Sequence, residues 1–355
     1  MNFFLQLIMC GIGCLLIWLA ITKNMEPALL LPIGFGAILM NLPGSGAAVI
    51  VERLYQIGIA DNELFPLVLF IGIGAMIDFE PLLTNPKLIV FGVAAQGGIF
   101  FTLWLAGVLG FSPTDAASIA IIGAADGPTS IYVAQTLASN YTAAIMVAAY
   151  SYMALVPMIL PPIIRLCTTN KERKIRMEYT GKKVSRRIKI LFPIAITVVA
   201  GLVAPESVPL IGFLMFGNLI RECGVLDSLS ETAQKVLPNL ITILLGISIA
   251  ARMTATEFLK TETLIILCLG LVAFIMDTFF GVMAAKVMNL FLKKKINPMI
   301  GAAGISAFPM AARVVHKMGM QEDNQNYLLM HAVGVNVSGQ IVSAIIGGLI
   351  IALAG

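Results

Sequence analysis

The chain has 355 residues, of which 59% are hydrophobic and only 12% are charged, and its mean hydropathy is +0.94. A soluble protein of this size needs a polar surface that this composition cannot supply, so the composition predicts an integral membrane protein. Apolar stretches of about 20 residues exclude a β-barrel and require helices. The net charge of +4 gives no indication of nucleic-acid binding, because the positive charge is concentrated in one loop.

Twelve apolar segments follow one another along the chain, six on each side of that loop. They lie near 3–22, 28–43, 64–77, 88–111, 116–138 and 142–164, and then near 190–204, 208–220, 236–251, 263–292, 298–312 and 327–354. The first segment lacks the basic start and the small-residue cleavage site of a signal peptide, so we expect a retained helix. The loop, residues 165–189, carries ten basic residues against two acids, which predicts that it is cytoplasmic.

One of these apolar segments contains an acid, Asp126, followed by Gly127, Pro128 and the hydroxyl of Thr129. A carboxylate at bilayer depth costs about 3 kcal/mol even on lenient insertion scales. Proline has no amide donor and breaks the helix, which frees backbone carbonyls beside the acid. Transporters build mid-membrane cation sites from such broken helices, and we expect Asp126 to belong to one. The simpler alternative is a proline kink beside a neutral, hydrogen-bonded acid.

The two halves of the chain resemble each other in several short motifs. Residues 31–35 recur as 209–213, residues 72–75 recur as 246–249, and Gly123 and Pro128 match Gly304 and Pro309 at the same spacing. The register that pairs Asn140 with Asn326 sets Tyr150 opposite Asn336 and Tyr152 opposite Ser338. Both broken segments also begin with a capping residue followed by proline, Ser112-Pro113 and Asn297-Pro298, which predicts helix starts at these places. Because these matches occur in one order along the chain, they indicate an internal duplication.

Duplicated transporter halves are commonly inverted, which requires an odd number of crossings in each half. We therefore predict an all-α polytopic membrane protein of two inverted repeats, each with about five transmembrane helices and a broken re-entrant hairpin. The first repeat would cover 1–168 with its hairpin at 112–138, and the second would cover 190–355 with its hairpin at 297–318, joined by the basic cytoplasmic loop 169–189. We expect the first hairpin to enter from outside, the second to enter from the cytoplasm, and their tips to meet near the midplane.

The second hairpin offers further oxygen ligands. Ser306 carries a hydroxyl near its break at Pro309, and Asn336 lies inside the last apolar span. A hard monovalent cation prefers oxygen ligands, so we predict a Na⁺ site at Asp126, Ser306 and Asn336. The alternatives are that Ser306 is a packing residue and that Arg313, the first cation beyond the break, extends to the membrane interface.

A second acid, Asp277, lies in the middle of the apolar span 263–292. The first half of the chain has no acid at the matching place. Asp277 could be a third ion ligand, or a carboxylic acid that burial keeps neutral. Both alternatives stay open from the sequence.

Three stretches give the chain a specific resemblance: 123–129, 150–157 and the second hairpin through Pro309-Met310-Ala311-Ala312-Arg313. They are similar to the β subunit of the sodium-pumping, biotin-dependent decarboxylases, which include the oxaloacetate, methylmalonyl-CoA and glutaconyl-CoA enzymes, and the likeness covers nearly the whole chain. The resemblance implies a subunit that takes carboxybiotin from a carrier, decarboxylates it and exports Na⁺ with consumption of a proton. It also implies an elevator-like core that moves against a scaffold.

The resemblance further implies site residues and partners. Positions tied to sodium binding or coupling in the family match seven residues: Asp126, Tyr152, Asn297, Gly301, Ser306, Arg313 and Asn336. Tyr152 could relay a proton and Arg313 could hold the biotin-bound carboxylate, and the secondary candidates are Thr129, Tyr150, Ser338 and Asp277. The implied partners are a biotin carrier protein, a carboxyltransferase subunit, a small membrane subunit and further copies of this chain in a homotrimer, within a bacterial-type inner membrane.

The alternative function is a sodium-coupled secondary transporter of a small solute, without decarboxylase chemistry. Both functions need a cation site in a broken helix, so the residues of that site do not separate them. The chain contains no Ala-Met-Lys-Met biotin attachment motif, so any biotin would be carried by a partner protein. Co-purification of a biotinylated partner would favour the decarboxylase.

Overall fold

The computed structural model describes residues 3–23, 27–61, 63–179, 183–258 and 260–355, so residues 180–182 of the basic loop lie outside the described part. Throughout the described residues the fold is helical and contains no β-strand. Six described segments are long and apolar enough to cross a membrane: Phe3–Lys23, Pro86–Val108, Thr142–Cys167, Asp227–Arg252, Thr261–Phe291 and Leu329–Ala354. The prediction of an all-helical, multi-pass membrane protein is therefore confirmed.

The helices of the first half are shorter and more often broken than the sequence segments suggest. They are α1 (Phe3–Lys23), α2 (Pro27–Asn41), α3 (Ala47–Tyr55), α4 (Leu64–Met76), α5 (Glu80–Thr84), α6 (Ile89–Ala95), α7 (Gly97–Val108), α8 (Pro113–Ala120), α9 (Gly127–Thr136) and α10 (Thr142–Cys167). A π-helical turn at Gln56–Ala60 precedes α4, and 3-10 turns lie at Pro86–Leu88 and Ile121–Ala124.

The second half repeats these kinds of element in a similar order. Its helices, after the short α11 (Asn170–Arg173) in the loop, are α12 (Arg186–Val203), α13 (Val208–Glu222), α14 (Asp227–Glu231), α15 (Leu237–Ile249), α16 (Ala255–Phe258), α17 (Thr261–Phe291), α18 (Met310–Glu322) and α19 (Leu329–Ala354). A π-helical turn at Thr232–Val236 precedes α15, and a 3-10 turn at Pro298–Gly304 precedes the break before α18. Like α10, the last helix, α19, has 26 residues.

The broken segment α8–α9 folds back on itself as a hairpin. Ser112 caps α8 by accepting the amide of Asp115, and Pro113 follows at the first helical position, which confirms the predicted helix start. At the far end of the segment, the hydroxyl of Ser139 and the amide of Asn140 both donate to the Asp115 carboxylate, over 2.8 and 2.9 Å. Both ends of the segment therefore lie together.

The second broken segment closes in the same way. Asn297 caps its first turn, as predicted, and Asn297 and Asn326 both donate from their side-chain amides to the carbonyl oxygen of Arg173, over 2.8 and 2.9 Å. The second arm, α18, runs four residues past the predicted end at residue 318. The last residue of this helix, Glu322, is held by the Arg173 guanidinium at 2.7 Å.

The two hairpin bases lie at opposite ends of α10. This helix begins two residues after Asn140 and ends six residues before Arg173, and its 26 residues span about 39 Å, more than the thickness of a bilayer core. The hairpin tips meet between them, because the amide of Ser306 donates to the carbonyl oxygen of Ala124 over 2.9 Å. The backbones of the two hairpins are therefore in direct contact where each hairpin breaks.

Helices from the two halves pack against each other at backbone distance. Helix α4 lies on α13, and a Cβ at Gly74 would be 1.8 Å from the carbonyl oxygen of Leu214. A Cβ at Gly217 would in turn be 1.9 Å from the carbonyl oxygen of Ile71. Helix α2 packs on α15 in the same manner, and a second group, α6, α7, α10, α17 and α19, surrounds the hairpins. This second group positions the candidate site.

Candidate functional site

Asp126 is the residue around which the site is built. It lies in the break between the Ile121–Ala124 turn and α9, and only 2% of its surface is exposed. Its Oδ2 atom accepts hydrogen bonds from the hydroxyl of Thr129 at 2.6 Å and from the amide of Gln340 at 2.9 Å. The hydroxyl of Ser343 lies 3.5 Å from the same atom and 3.1 Å from the Gln340 carbonyl oxygen. The buried carboxylate is thus surrounded by groups that also carry oxygen atoms, which is the chemistry of a site for a hard cation.

The backbone at this tip leaves the ordinary helical geometry. Ala125, the residue before the acid, has φ +53° and ψ +40°, in the left-handed region that costs an alanine about 1 kcal/mol. The turn points the Ala124 carbonyl at the Ser306 amide, so that the two tips are joined. Strain of this kind is found where a fixed arrangement of groups is required.

Ser306 and Asn336 lie on the other side of the joined tips. The hydroxyl of Ser306 donates to the carbonyl oxygen of Gly339 at 3.1 Å. The Asn336 amide donates to the carbonyl oxygens of Ala303 and Ile305, and its own Oδ1 atom is buried without a hydrogen-bond partner among the described residues. Helix α19 therefore contacts both tips, with Asn336 on the second hairpin and the amide of Gln340 on Asp126.

The two tyrosines of α10 face opposite ways. The ring of Tyr150 packs on the first tip, since a Cβ at Gly127 would lie 2.5 Å from it, and its hydroxyl is buried without a hydrogen-bond partner in the described chain. Tyr152 turns instead toward α17, where its hydroxyl donates to the Leu267 carbonyl and its ring lies on Gly270. Tyr150, the secondary candidate, is the tyrosine at the Asp126 break.

Three of the other predicted residues lie away from Asp126. Asn297 lies at the hairpin base, separated from the tip by a seven-residue 3-10 turn of about 14 Å. Gly301 packs on α17, where a Cβ would lie 2.0 Å from the carbonyl oxygen of Gly281. Arg313 is exposed on the first turn of α18.

Ser338 and Asp277 hold neighbouring helices. The Ser338 hydroxyl lies 2.6 Å from the carbonyl oxygen of Val335 in its own helix and 3.2 Å from the carbonyl oxygen of Leu88. The Oδ1 atom of Asp277 accepts the amide of Ile99 at the start of α7, and its Oδ2 atom is buried without a partner among the described residues, 2.6 Å from where a Cβ of Gly123 would lie. Asp277 thus caps α7 and abuts the first hairpin three residues before Asp126.

Sequence reasoning missed Gln340 and Ser343, both of which contact the carboxylate. With Asn336 they follow a spacing of four and three residues, which places all three on one face of α19. Polar residues on one face of an apolar span were the available signal. Gln96 was also missed, and its amide donates to the carbonyl oxygen of Gly304 at the second hairpin over 3.4 Å.

Comparison with known proteins identifies the family of the chain that carries this site. The profile of the Na⁺-transporting oxaloacetate decarboxylase beta subunit matches residues 5–354. The chain belongs to this family. The oxaloacetate decarboxylase beta chains of Haemophilus ducreyi and Klebsiella pneumoniae are each 45% identical to it, in gapped alignments of 411 and 410 positions that cover 98% of this chain and 94% of theirs. The methylmalonyl-CoA decarboxylase beta subunit of Veillonella parvula is 49% identical over 346 residues, which cover 98% and 92% of the two chains.

This member of a Na⁺-transporting decarboxylase family is a multi-pass protein of the bacterial inner membrane. Its named relatives are beta subunits of two different decarboxylases, one named for oxaloacetate and one for methylmalonyl-CoA. The resemblance that the three sequence stretches indicate is therefore confirmed over nearly the whole chain.

Proposed function

We propose that this beta subunit decarboxylates carboxybiotin and couples the reaction to export of Na⁺ and consumption of a proton. The biotin stays attached to a carrier protein, a carboxyltransferase subunit loads it, and a small membrane subunit and further copies of this chain, as a homotrimer, complete the complex. In the reaction the bond between the biotin nitrogen and the carboxyl carbon breaks. The electron pair stays on nitrogen, which takes up the proton, and CO₂ leaves.

The observation that carries this proposal is the contact between the two hairpin tips beside a buried acid. Asp126 has three hydroxyl or amide groups on its carboxylate, and Ser306 is joined through its amide to the same tip. Hydroxyl and amide groups can rotate to present oxygen atoms to a cation, and Asn336 already has a buried oxygen without a hydrogen-bond partner in the described chain. Na⁺ would bind there as cargo, held by Asp126, Ser306 and Asn336.

An inverted arrangement of the two halves is part of the proposal. It is supported by hairpin bases at opposite ends of α10 and by matched contacts within the core. The hydroxyl of Tyr152 donates to the carbonyl of Leu267 in the second half, and the hydroxyl of Ser338 lies 3.2 Å from the carbonyl oxygen of Leu88 in the first half. A glycine lies against each hydroxyl-bearing residue, Gly270 on Tyr152 and Gly92 on Ser338.

One carboxylate can serve both ions in turn. Burial disfavours the charged form of Asp126 when no cation is present, and bound Na⁺ stabilises it, so a proton and Na⁺ compete for the same group. If the site opens alternately to the two sides, Na⁺ leaves outward and a proton returns inward. The elevator-like movement of a core against a scaffold would provide this alternation, with α4 and α13 in the scaffold.

Two residues are assigned to the chemistry. Arg313 is exposed and has no ion-pair partner among the described residues, so it is available for the biotin-bound carboxylate. Tyr152 carries a phenol between α10 and α17 and would pass the proton. Arg313 lies on the second arm of the second hairpin and Tyr152 lies on α10, which contacts both hairpins, so the chemistry is linked to the sodium site.

The test is decarboxylation of free carboxybiotin by the purified complex in the presence and absence of Na⁺. We expect Na⁺-dependent CO₂ release, together with Na⁺ uptake into inverted membrane vesicles. Solute-driven Na⁺ flux without CO₂ release would instead establish the secondary transporter. A biotinylated protein that co-purifies with the chain would identify the carrier.

A further inference from the structure

The first residues of the basic loop make contacts that the proposed mechanism does not use. The carbonyl oxygen of Arg173 accepts hydrogen bonds from the side-chain amides of Asn297 and Asn326, the residues at the two ends of the second hairpin. Both asparagines are completely buried. One backbone carbonyl therefore holds both arms of the hairpin at its base.

The guanidinium of the same residue joins this point to neighbouring helices. Arg173 is 7% exposed, and it donates to Glu322 at the end of α18 over 2.7 Å and to the carbonyl oxygen of Thr168, just after α10, over 2.7 Å. Lys286 of α17 donates to the carbonyl oxygen of Cys167 over 3.0 Å. Because loss of either member of a desolvated ion pair leaves the other charge uncompensated, these contacts depend on one another.

We propose that Arg173, Glu322, Asn297 and Asn326 form a clasp that fixes the base of the second hairpin to the end of α10. In this assignment Asn297 and Asn326 are positioning residues for the sodium site and do not ligate the ion. The positioning role of the two asparagines at a sodium site rests on the proposed function, whereas the existence of the clasp does not.

The hydrogen bonds of Asn297 explain why it acts at a distance. Its Oδ1 atom accepts the amide of Met299, and its amide donates to the carbonyl oxygens of Arg173 and Ile175, so the side chain is engaged at the base of the hairpin. An open clasp lowers the fraction of molecules whose Ser306 tip is in place. The apparent Kd for Na⁺ equals the intrinsic Kd divided by this fraction, so the apparent affinity falls as the clasp opens.

The clasp also connects the site to the cytoplasmic surface. It lies in the loop that carries the ten basic residues, the surface on which an acidic partner would dock. A docked partner that displaces residues 168–178 would also displace the base of the hairpin, because Arg173 is bonded to both. The second hairpin is therefore the arm of the site that a cytoplasmic partner can influence.

The first test measures opening of the clasp without any reference to sodium. Cys167 lies next to Thr168 and is partly exposed, so its rate of labelling by a thiol reagent reports on the clasp in a chain whose other four cysteines are serine. We expect Asn326→Ala and the milder Glu322→Gln to raise that rate at least fivefold. Equal rates in the variants and the unchanged chain would overturn the clasp.

A matched control lies beside the clasp. Asp323 pairs with Arg176 at 2.6 Å on the exposed side, and its hydrogen bond to Arg176 holds the pKa of the Asp323 carboxyl below its usual range. Asp323→Asn removes a neighbouring, more exposed arginine–carboxylate pair from the same base, without touching Arg173. We expect Cys167 labelling to be unchanged, and an increase equal to that of Glu322→Gln would overturn the assignment to these four residues.

The second test separates a positioning role from ligation. Asn297→Ala and Asn326→Ala should each raise the Na⁺ concentration for half-maximal decarboxylation about tenfold, and the double variant should raise it no further, because both act through one carbonyl. Additive, about hundredfold effects would show that Asn297 acts independently and would overturn its positioning role. Absence of any Na⁺ dependence in the unchanged chain would refute the proposed function, whereas the Cys167 labelling would still decide the clasp.

Discussion

The amide of Ser306 donates a hydrogen bond to the carbonyl oxygen of Ala124, two residues before Asp126, over 2.9 Å. Their chain positions differ by 182 residues, and each lies where its own hairpin breaks. The bond makes the two tips a single structure, so movement of either hairpin changes the surroundings of the acid.

Asp126→Asn is expected to abolish Na⁺-dependent decarboxylation. The amide keeps the shape of the side chain and loses the charge that offsets dehydration of the cation. Activity of the purified complex across a range of Na⁺ concentrations checks this, with Asp227→Asn, an exposed acid at the start of α14, as the control. Sodium dependence that survives in Asp126→Asn would exclude the acid from the site.

Gln340→Ala is expected to raise the half-maximal Na⁺ concentration about tenfold, because it removes one of three groups on the Asp126 carboxylate and one potential oxygen ligand. The matched control is Thr278→Ala, a buried hydroxyl that donates only to the Phe274 carbonyl of its own helix. Equal effects of the two substitutions would show that Gln340 contributes only to packing.

Raising the pH is expected to lower the Na⁺ concentration for half-maximal activity, because the proton and Na⁺ compete for Asp126. The measurement is Na⁺ titration of activity at several pH values, compared with the same titration of Asp126→Asn, in which no pH effect on any residual activity is expected. A sodium requirement independent of pH would contradict the shared site, even if the acid proved essential.

Tyr152→Phe is expected to slow turnover more than it weakens Na⁺ binding. The substitution removes the phenol and leaves the Leu267 carbonyl without this donor, while the Asp126 break keeps its contacts. Tyr150→Phe is the comparison, because its hydroxyl lies beside that break and its loss should act on Na⁺ binding instead. The two effects are separated by measuring turnover and half-maximal Na⁺ concentration for each variant, and the reverse pattern would exchange the two roles.

A cysteine at Lys183 is expected to react with a membrane-impermeant thiol reagent only after the cells are opened. Lys183 is exposed and lies in the basic loop, whose ten positive residues predict a cytoplasmic position. The native cysteines are replaced first, since Cys167 lies in the same loop. Labelling of intact cells would place the loop outside and reverse the predicted orientation of the chain.

The sequence was sufficient for the features that short-range chemistry determines. Ser112-Pro113 and Asn297-Pro298 predicted both hairpin starts, because a capping side chain followed by proline has few other places in a helix. Gly127-Pro128 located the break at Asp126. The internal matches then predicted that Asp126 and Ser306 would be close, as their joined tips are.

Other features depend on the rotation of helices, which the sequence pattern left open. Tyr150 and Tyr152 are two residues apart, so a helix points them about 200° away from each other, and only packing decides which one reaches the acid. Asn297 matched the family position, yet its side chain is engaged by the carbonyl oxygens of Arg173 and Ile175 in the loop between the two halves, which the sequence pattern did not indicate. Gln340 was missed because the role of a polar residue in an apolar span can be assigned only when the group that it contacts is known.

The glycine contacts between α4 and α13 have a consequence for the synthesis of the chain. Gly74 and Gly217 bring the two backbones together, so the surface of α4 is complete only when α13 is present. Leu214 is made about 140 residues after Gly74, which at about 5–20 residues per second leaves α4 without this neighbour for roughly 7–28 s. During that interval the nascent first half exposes the α4 surface at Gly74 to lipid or to an insertion factor. The surface is covered only after the ribosome has passed residue 217.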